Sequence, residues 1–304
     1  MNDTNNKSEP FAPAVVITGA TEGLGRALAE EFARGGHTLL LVARNEAALT
    51  RVARDLADAH GVEVRVTAQD LSTQEGCAGV EEALRRFGLH ADMLVNNAAV
   101  MSARFFQDQD LDTLRRMVDL DVHAVVDLTL RFLPGMVARR RGGVLNVASL
   151  EGFMPVPYQA TYAAANAFVL SFSRALSYEM MYTGVRVSAL APGPIATRLH
   201  AKGGAQHSRY MRLLPIMTPE QMARIAYRRF QRGEKIIVAG WFNRFGVFAS
   251  RFVPHILLVP VMGFFFRVLD EEGNAQMPRP LAPAEPQTRR PPAKAADKSP
   301  GLSS

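Results

Sequence analysis

A single cysteine, Cys77, serves the whole chain of 304 residues, which excludes an internal disulfide framework and points to a reducing, cytoplasmic setting. The chain also lacks an uninterrupted apolar run of the ~20 residues that a membrane helix needs. Its richest stretch, residues 241–266, is interrupted by Arg251 and His255 and divided by Pro254 and Pro260. Residues 1–10 are polar and have no apolar centre of the kind a secretory signal carries. No cluster of His, Cys, Asp and Glu has metal-ligand spacing, so no metal is expected. An acidic balance is absent too, the net charge being +6. Half of that excess lies in residues 274–304, where Arg279, Arg289, Arg290, Lys294 and Lys298 face only Glu285 and Asp297. With no basic–aromatic motif elsewhere, nucleic acid is not an expected partner.

What is present is alternation. Short apolar runs at 15–18, 38–43, 62–68, 93–96, 144–148, 185–190 and 235–238 read as strands. Between them, helical patterns occupy 23–34, 46–60, 74–87, 111–133, 158–182 and 219–232, the fourth expected to stop near Pro134. Parallel strands need crossovers, so repeated strand–helix units of this length predict an α/β protein with a doubly wound parallel sheet. One domain is expected over 14–240, followed by an apolar helical extension over 241–273. The lead, 1–13, and the Pro/Ala-rich basic tail, 274–304, read as disordered.

Two stretches carry chemistry. Thr18-Gly-Ala-Thr-Glu-Gly-Leu-Gly25 follows a strand and opens a helix. Its glycines permit a tight turn and close backbone approach, and a helix N-terminus there offers free N–H groups to a pyrophosphate. Farther on, Ser149 ends an apolar run and Tyr162 follows thirteen residues later on a helical pattern. Together these resemble the short-chain dehydrogenase/reductase (SDR) family, over roughly 14–240, and imply a Rossmann-type sheet. Further matches are Asp70-Leu71, Asn96-Asn97-Ala98-Ala99 and Pro192-Gly193-Pro194-Ile195-Ala196-Thr197.

The resemblance implies a nicotinamide dinucleotide held by Gly19, Thr21, Glu22, Gly23, Leu24, Gly25, Asp70, Leu71, Asn97, Ala98, Pro192, Gly193, Ile195 and Thr197, with Tyr162 and the residue one turn beyond it. After the second strand the chain has Ala43-Arg44 where an acid would bond an NAD ribose, so Arg44 favours the 2′-phosphate of NADP(H). Glu22 is a counter-signal, because its charge would repel that phosphate. In the family Ser binds the reacting oxygen, Tyr exchanges its proton, and a Lys one helical turn on lowers the Tyr pKa from about 10 toward neutrality. Here Asn166 stands in place of that Lys and Asp121 in place of the usual Asn. Asn166 can offer an amide to the ribose but no charge, and an ionised Asp121 would raise the Tyr162 pKa further. Reduction needs a protonated Tyr and survives these changes better than oxidation does. The expectation is an NADP-dependent reductase with Ser149, Tyr162, Asn166 and Asp121 at its centre. The alternative, because the Lys is absent, is a nucleotide-binding relative without dehydrogenase activity or with altered chemistry.

Tyr158, expected on the same helix as Tyr162, is a substitute hydroxyl or a pocket wall, and His123 reads as structural. Residues 198–217 read as a lid over the cleft. Residues 241–266 read as two short helices that cover the cleft, join a second subunit in a homo-oligomer, or lie on a bilayer with Arg244, Arg251 and Arg267 near the headgroups. Some SDRs that reduce hydrophobic or lipid-like carbonyls carry a similar extension, which implies a hydrophobic carbonyl substrate.

Overall fold

In the computed structural model, which describes residues 11–269 and 274–278, seven strands lie parallel in one sheet. In chain order the elements are β1 (Ala12–Thr18), α1 (Gly23–Arg34), β2 (Leu39–Ala43), α2 (Glu46–His60), β3 (Val64–Ala68), α3 (Gln74–Arg86) and β4 (Leu89–Asn96). Then come α4 (Leu111–Val118), α5 (Ala124–Ala138), β5 (Gly142–Val147), α6 (Ala160–Glu179) and β6 (Val185–Ala191). The rest are α7 (Arg198–Lys202), α8 (Arg209–Leu213), α9 (Pro219–Gln231), β7 (Ile236–Val238), α10 (Trp241–Ser250) and α11 (His255–Phe266).

The sheet order is β3-β2-β1-β4-β5-β6-β7. Winding therefore reverses between β1 and β4, and the crevice beyond their C-terminal ends is where such sheets take ligands. Side chains alternate across each strand. Val15 and Ile17 of β1 face Phe32 of α1 and Met222 and Phe230 of α9, whereas Ala14 and Val16 face Val80 of α3 and Leu128 and Phe132 of α5. Both faces of β1 are buried, which is why its sequence is continuously apolar rather than alternating.

Several expectations are corrected. Strand β1 begins at Ala12, so the expected disordered lead gives up Ala12 and Pro13 to the sheet, and residues 1–10 lie outside the described residues. The start of the expected tail is paired: Ala275 bridges Leu269, and the Gln276 N–H donates to the Val268 carbonyl at 3.1 Å. Residues 279–304 lie outside the described residues. The single helix expected over 111–133 is α4 and α5 joined by a π-helical turn, Asp119–His123. It runs through Pro134, where Pro134 and Leu130 both lie on the exposed side of the helix, the side on which a missing backbone bond costs least.

The second half of the sheet is cross-linked by buried side chains. Asn96 of β4 donates to Asn146 of β5 (2.8 Å), which donates to Ser173 of α6 (2.9 Å). This chain fixes the level of α6, and with it Tyr162, against the strand ends.

Candidate active site

The glycine turn is built by sterics. Gly19 and Gly23 have φ of +66° and +56°, a region costly for side-chain-bearing residues. A Cβ on Gly25 would lie 2.2 Å from the Gly19 carbonyl oxygen. Thr18 Oγ1 accepts the N–H groups of Asn97 and Ala98, both at 2.9 Å, and donates to the Val95 carbonyl at 3.3 Å. The Asn97 amide donates to the carbonyls of Thr18 (2.9 Å) and Gly19 (3.4 Å). The Asn97 side chain thus clamps the turn, while Leu24 and Leu71 are core residues that leave only their backbones for a ligand.

Glu22 sits at the N-cap of α1 without capping it. Its carboxylate instead pairs with Lys202 and, at 3.7 Å, with Arg198, both on α7. The expected repulsion of a phosphate by Glu22 is thereby offset by two cations. Thr197, at the N-cap of α7, lies against Gly23, where an added Cβ would meet its methyl at 3.2 Å. Gly193 is crowded by the Asn243 amide, 2.7 Å from an added Cβ, and the Ile195 side chain is buried. The Pro192 carbonyl accepts the Leu150 N–H at 3.0 Å, which joins the loops after β5 and β6.

Thr21 is partly buried in the turn, and Arg44 is exposed just past β2 with no ion pair among the described residues. Asp70 is engaged: Arg116 donates to it at 2.5 Å, and Ser72 donates from both its hydroxyl and its N–H. Partial burial opposes ionisation, yet Ser72 and Arg116 together hold its carboxyl below the usual range. The cradle fits a nicotinamide dinucleotide, since the places where added Cβ atoms would clash are those where a backbone must approach a pyrophosphate.

Across the crevice, Ser149 follows β5, and its Oγ accepts the Glu151 N–H at 3.2 Å, which leaves its own O–H free to donate. Tyr162 lies in the first turn of α6, 7% exposed. Asn166 donates an amide N–H to the Tyr162 backbone carbonyl at 2.8 Å, so part of the amide expected to reach a ribose is spent within the helix. Burial drives the Tyr162 hydroxyl far above its ordinary pKa; Glu151 and then Asp121 add to the effect, and Asn166 and Ser149 oppose it weakly. The Tyr162 hydroxyl is therefore protonated at neutral pH.

Asp121 sits in the π-helical turn, a device often found at functional positions. Its Oδ1 accepts the Val100 N–H at 2.9 Å, and Oδ2 has no partner among the described residues. Burial pushes its carboxyl well above the usual range against the pull of that N–H. Burial thus favours the protonated form of Asp121, and any charge it carries pushes the Tyr162 hydroxyl further up, as expected.

Tyr158 is also corrected. It precedes α6 with φ of +69°, its carbonyl takes the Arg104 N–H, and its ring meets Phe105 edge-on, so it is not on the helix of Tyr162. His123 is exposed and bonded to Asp119 at 2.9 Å.

Sequence reasoning missed Glu151, Gln159 and Tyr210. Glu151, 7% exposed, is pushed up to about 8 by burial. Tyr210 comes from α8 in the expected lid and stacks on Phe266 of α11 at 4.4 Å. It shares one apolar cluster with Tyr162, Met101, Ala103 and Met117. The lid and the extension therefore close over Tyr162. An acid within the short apolar turn Leu150–Phe153 was the available signal for Glu151.

The fold and the Ser149/Tyr162 pair define an α/β protein of the dinucleotide-binding class. The chain belongs to the short-chain dehydrogenase family, whose model it matches over residues 13–208. It is 35% identical over 188 residues to a very-long-chain 3-oxoacyl-CoA reductase of Mus musculus, the match covering 60% of each chain. It is equally 35% identical, over 195 residues, to an inactive hydroxysteroid dehydrogenase-like protein 1 of Pongo abelii, covering 63% of this chain and 58% of that protein. The chain thus matches about 60% of the length of these relatives. Among solved structures it is similar to a short-chain dehydrogenase from Sphingobium yanoikuyae in complex with NADPH (TM-score 0.70, 30% identity, 79% of this chain and 93% of that one).

Proposed function

We propose that the protein is an NADP(H)-dependent reductase of a hydrophobic or lipid-like carbonyl, with Tyr162 as the proton donor. One observation carries this reading. Tyr162 is buried beside the carboxyls of Glu151 and Asp121 with no lysine in the turn that follows, and so its hydroxyl is held protonated, the form that reduction requires. Ser149 donates its O–H to the carbonyl oxygen, and Tyr162 passes its proton to that oxygen as the carbonyl carbon is reduced. The bound dinucleotide supplies the hydride. Asp121, tied to the Val100 N–H, sits beside the pair, and Asn166 steadies the first turn of α6. Arg44 supports NADPH over NADH, because its free guanidinium suits a 2′-phosphate. The apolar cluster around Tyr162 supports a hydrophobic substrate, in keeping with the acyl-CoA reductases among the relatives.

The extension supports contact with an anionic membrane surface. Trp241 is 80% exposed, Phe252 71% and Ile256 81%. No acidic residue occurs between Glu234 and Asp270. A cavity of about 210 Å³ at the base of α10 is lined by Arg229, Arg244 and Arg251 together with Glu234, which pairs with Arg229 at 3.6 Å. No helix among the described residues is long and apolar enough to cross a membrane, so the contact is interfacial. The basic charge disfavours burying this face against a second copy of itself, although a homo-oligomer through another face remains compatible with it.

The second reading, a nucleotide-binding member without dehydrogenase activity, draws on the Asn166 amide being turned into its own helix. The two readings separate on NADPH consumption with a panel of long-chain ketones. Catalysis predicts turnover that Tyr162→Phe lowers by about 10²–10⁴-fold, the range of a general-acid contribution. NADPH binding without turnover would favour the second reading.

A further inference from the structure

The cavity at the base of α10 carries more positive charge than the fold answers. Arg229 of α9 is held in place, donating from Nη1 to the Val238 carbonyl at 3.1 Å and pairing with Glu234 at 3.6 Å. Arg244 of α10 and Arg251 at its C-cap line the same cavity, and neither forms an ion pair among the described residues. Three cations and one acid thus leave two positive charges unmatched around a volume of about 210 Å³. A further cation stands beside them. Arg174 of α6 lies over the Phe153 ring at 5.1 Å, and desolvation, then the charge of Arg251, holds its pKa below the usual range. The rim is aromatic: Phe248, exposed, packs on exposed Phe252 with ring centroids 5.0 Å apart.

Arg244, Phe248 and Arg251 recur at i, i+4 and i+7 and so share one face of α10. A merely solvated basic face would spread its arginines and pair them with acids. Here guanidinium groups converge on one hollow, no acid follows Glu234 until Asp270, and exposed rings flank the opening. That combination fits a ligand with an anionic head and an apolar body. We propose that the cavity binds the phosphomonoester headgroup of a membrane lipid, whose acyl chains lie along Phe248 and Phe252. The proposal rests on the interfacial reading of the extension above. Charge selects the headgroup: a phosphomonoester carries about −1.5 to −2 near neutral pH, which matches the two unmatched cations, whereas a phosphodiester carries a single charge. Guanidinium forks also bond phosphate oxygens in pairs. Size agrees, because the cavity equals the liquid volume of about seven water molecules. That is room for a phosphate and its ester link but not for the chains, which must leave over the aromatic rim.

The experiment sediments the full chain with three kinds of phosphatidylcholine vesicle: undoped, doped with phosphatidic acid, and doped with phosphatidylglycerol to the same surface potential. Phosphatidic acid vesicles are expected to bind at least about fivefold more tightly than phosphatidylglycerol vesicles, the effect of one further arginine contact. Arg244→Gln and Arg251→Gln should each bring that ratio close to one without lowering the melting temperature, since both side chains are exposed. Phe252→Ser with Ile256→Ser should weaken binding to every vesicle and leave the ratio standing. Equal binding of the two anionic vesicles by the unaltered protein, or a ratio that neither arginine substitution moves, would overturn the site. So would inorganic phosphate that binds through these arginines by calorimetry in a protein with no preference for phosphatidic acid, since the ligand would then be a soluble phosphate. Sedimentation with no vesicle at all removes the membrane reading itself, and the site with it. Sedimentation without preference removes the site alone.

Discussion

At the nucleotide turn, the groups that shape the backbone are themselves held: Thr18 accepts two N–H groups and donates to a carbonyl, and the Asn97 amide reaches two more carbonyls. Around Tyr162 the reverse is true, for Asp121 and Glu151 each keep a buried carboxyl oxygen without a hydrogen-bond partner among the described residues. Both regions lie at the C-terminal edge of the same sheet, so the difference is not one of fold. The first is finished scaffolding that offers its backbone to a ligand. The second carries unmet bonding capacity, which costs stability and is retained where a ligand or a proton is handled.

Breaking the finished half should cost the most. Gly25→Ala places a methyl 2.2 Å from the Gly19 oxygen. We expect a loss of about 3 kcal/mol or more in denaturant unfolding, together with loss of dinucleotide binding. A fully stable variant that still binds would show that the turn is looser than described.

The unfinished half should reveal itself in pH. Glu151 is protonated in the fold up to about 8, whereas its unfolded carboxyl ionises near 4.5. Between those values the folded state binds the extra proton, so stability falls as pH rises through the window. The Glu151 contribution is on the order of 4 kcal/mol, and Asp121 adds a slope of the same sign. Melting temperatures taken from pH 5 to pH 8 should decline, and Glu151→Gln should flatten much of that decline. A slope unchanged by the substitution would remove Glu151 from the account.

A smaller effect tests the outer edge of the cradle. Arg44→Ala should weaken NADPH binding by about tenfold, the loss of one charge-assisted contact, and leave NADH nearly untouched. Equal affinities for the two cofactors in the starting protein would contradict the assignment. On the extension, Phe252→Ser with Ile256→Ser should reduce co-sedimentation with anionic vesicles severalfold without lowering the melting temperature, since both side chains are already exposed. Unchanged sedimentation would move the apolar face to a protein partner.

The finished half was legible in the sequence because its requirements are local. Gly19, Gly23 and Gly25 declare a backbone need by residue type alone, and the apolar strand runs declare the sheet. The other half depends on burial and on distant partners, which no local pattern reports. Asp121 could be placed by its spacing, but the upward push on its carboxyl follows from burial in a π-helical turn. Glu22 looked repulsive until α7 brought Lys202 and Arg198 to it. Tyr158 sits only two residues before α6, yet a left-handed backbone sets it apart from Tyr162. Tyr210 became part of the site only when the lid folded against Phe266.

The central claim is that, without a lysine, Tyr162 remains protonated and favours reduction over oxidation. The most direct test restores the charge. In Asn166→Lys combined with Asp121→Asn, steady-state rates at pH 7 are measured in both directions with a long-chain ketone and its alcohol. The account predicts that the starting protein already reduces the ketone and that the double substitution raises oxidation at least about tenfold more than reduction, by lowering the Tyr162 pKa. A starting protein that binds NADPH yet is silent in both directions, with equal activity in both appearing only after the double substitution, would contradict it.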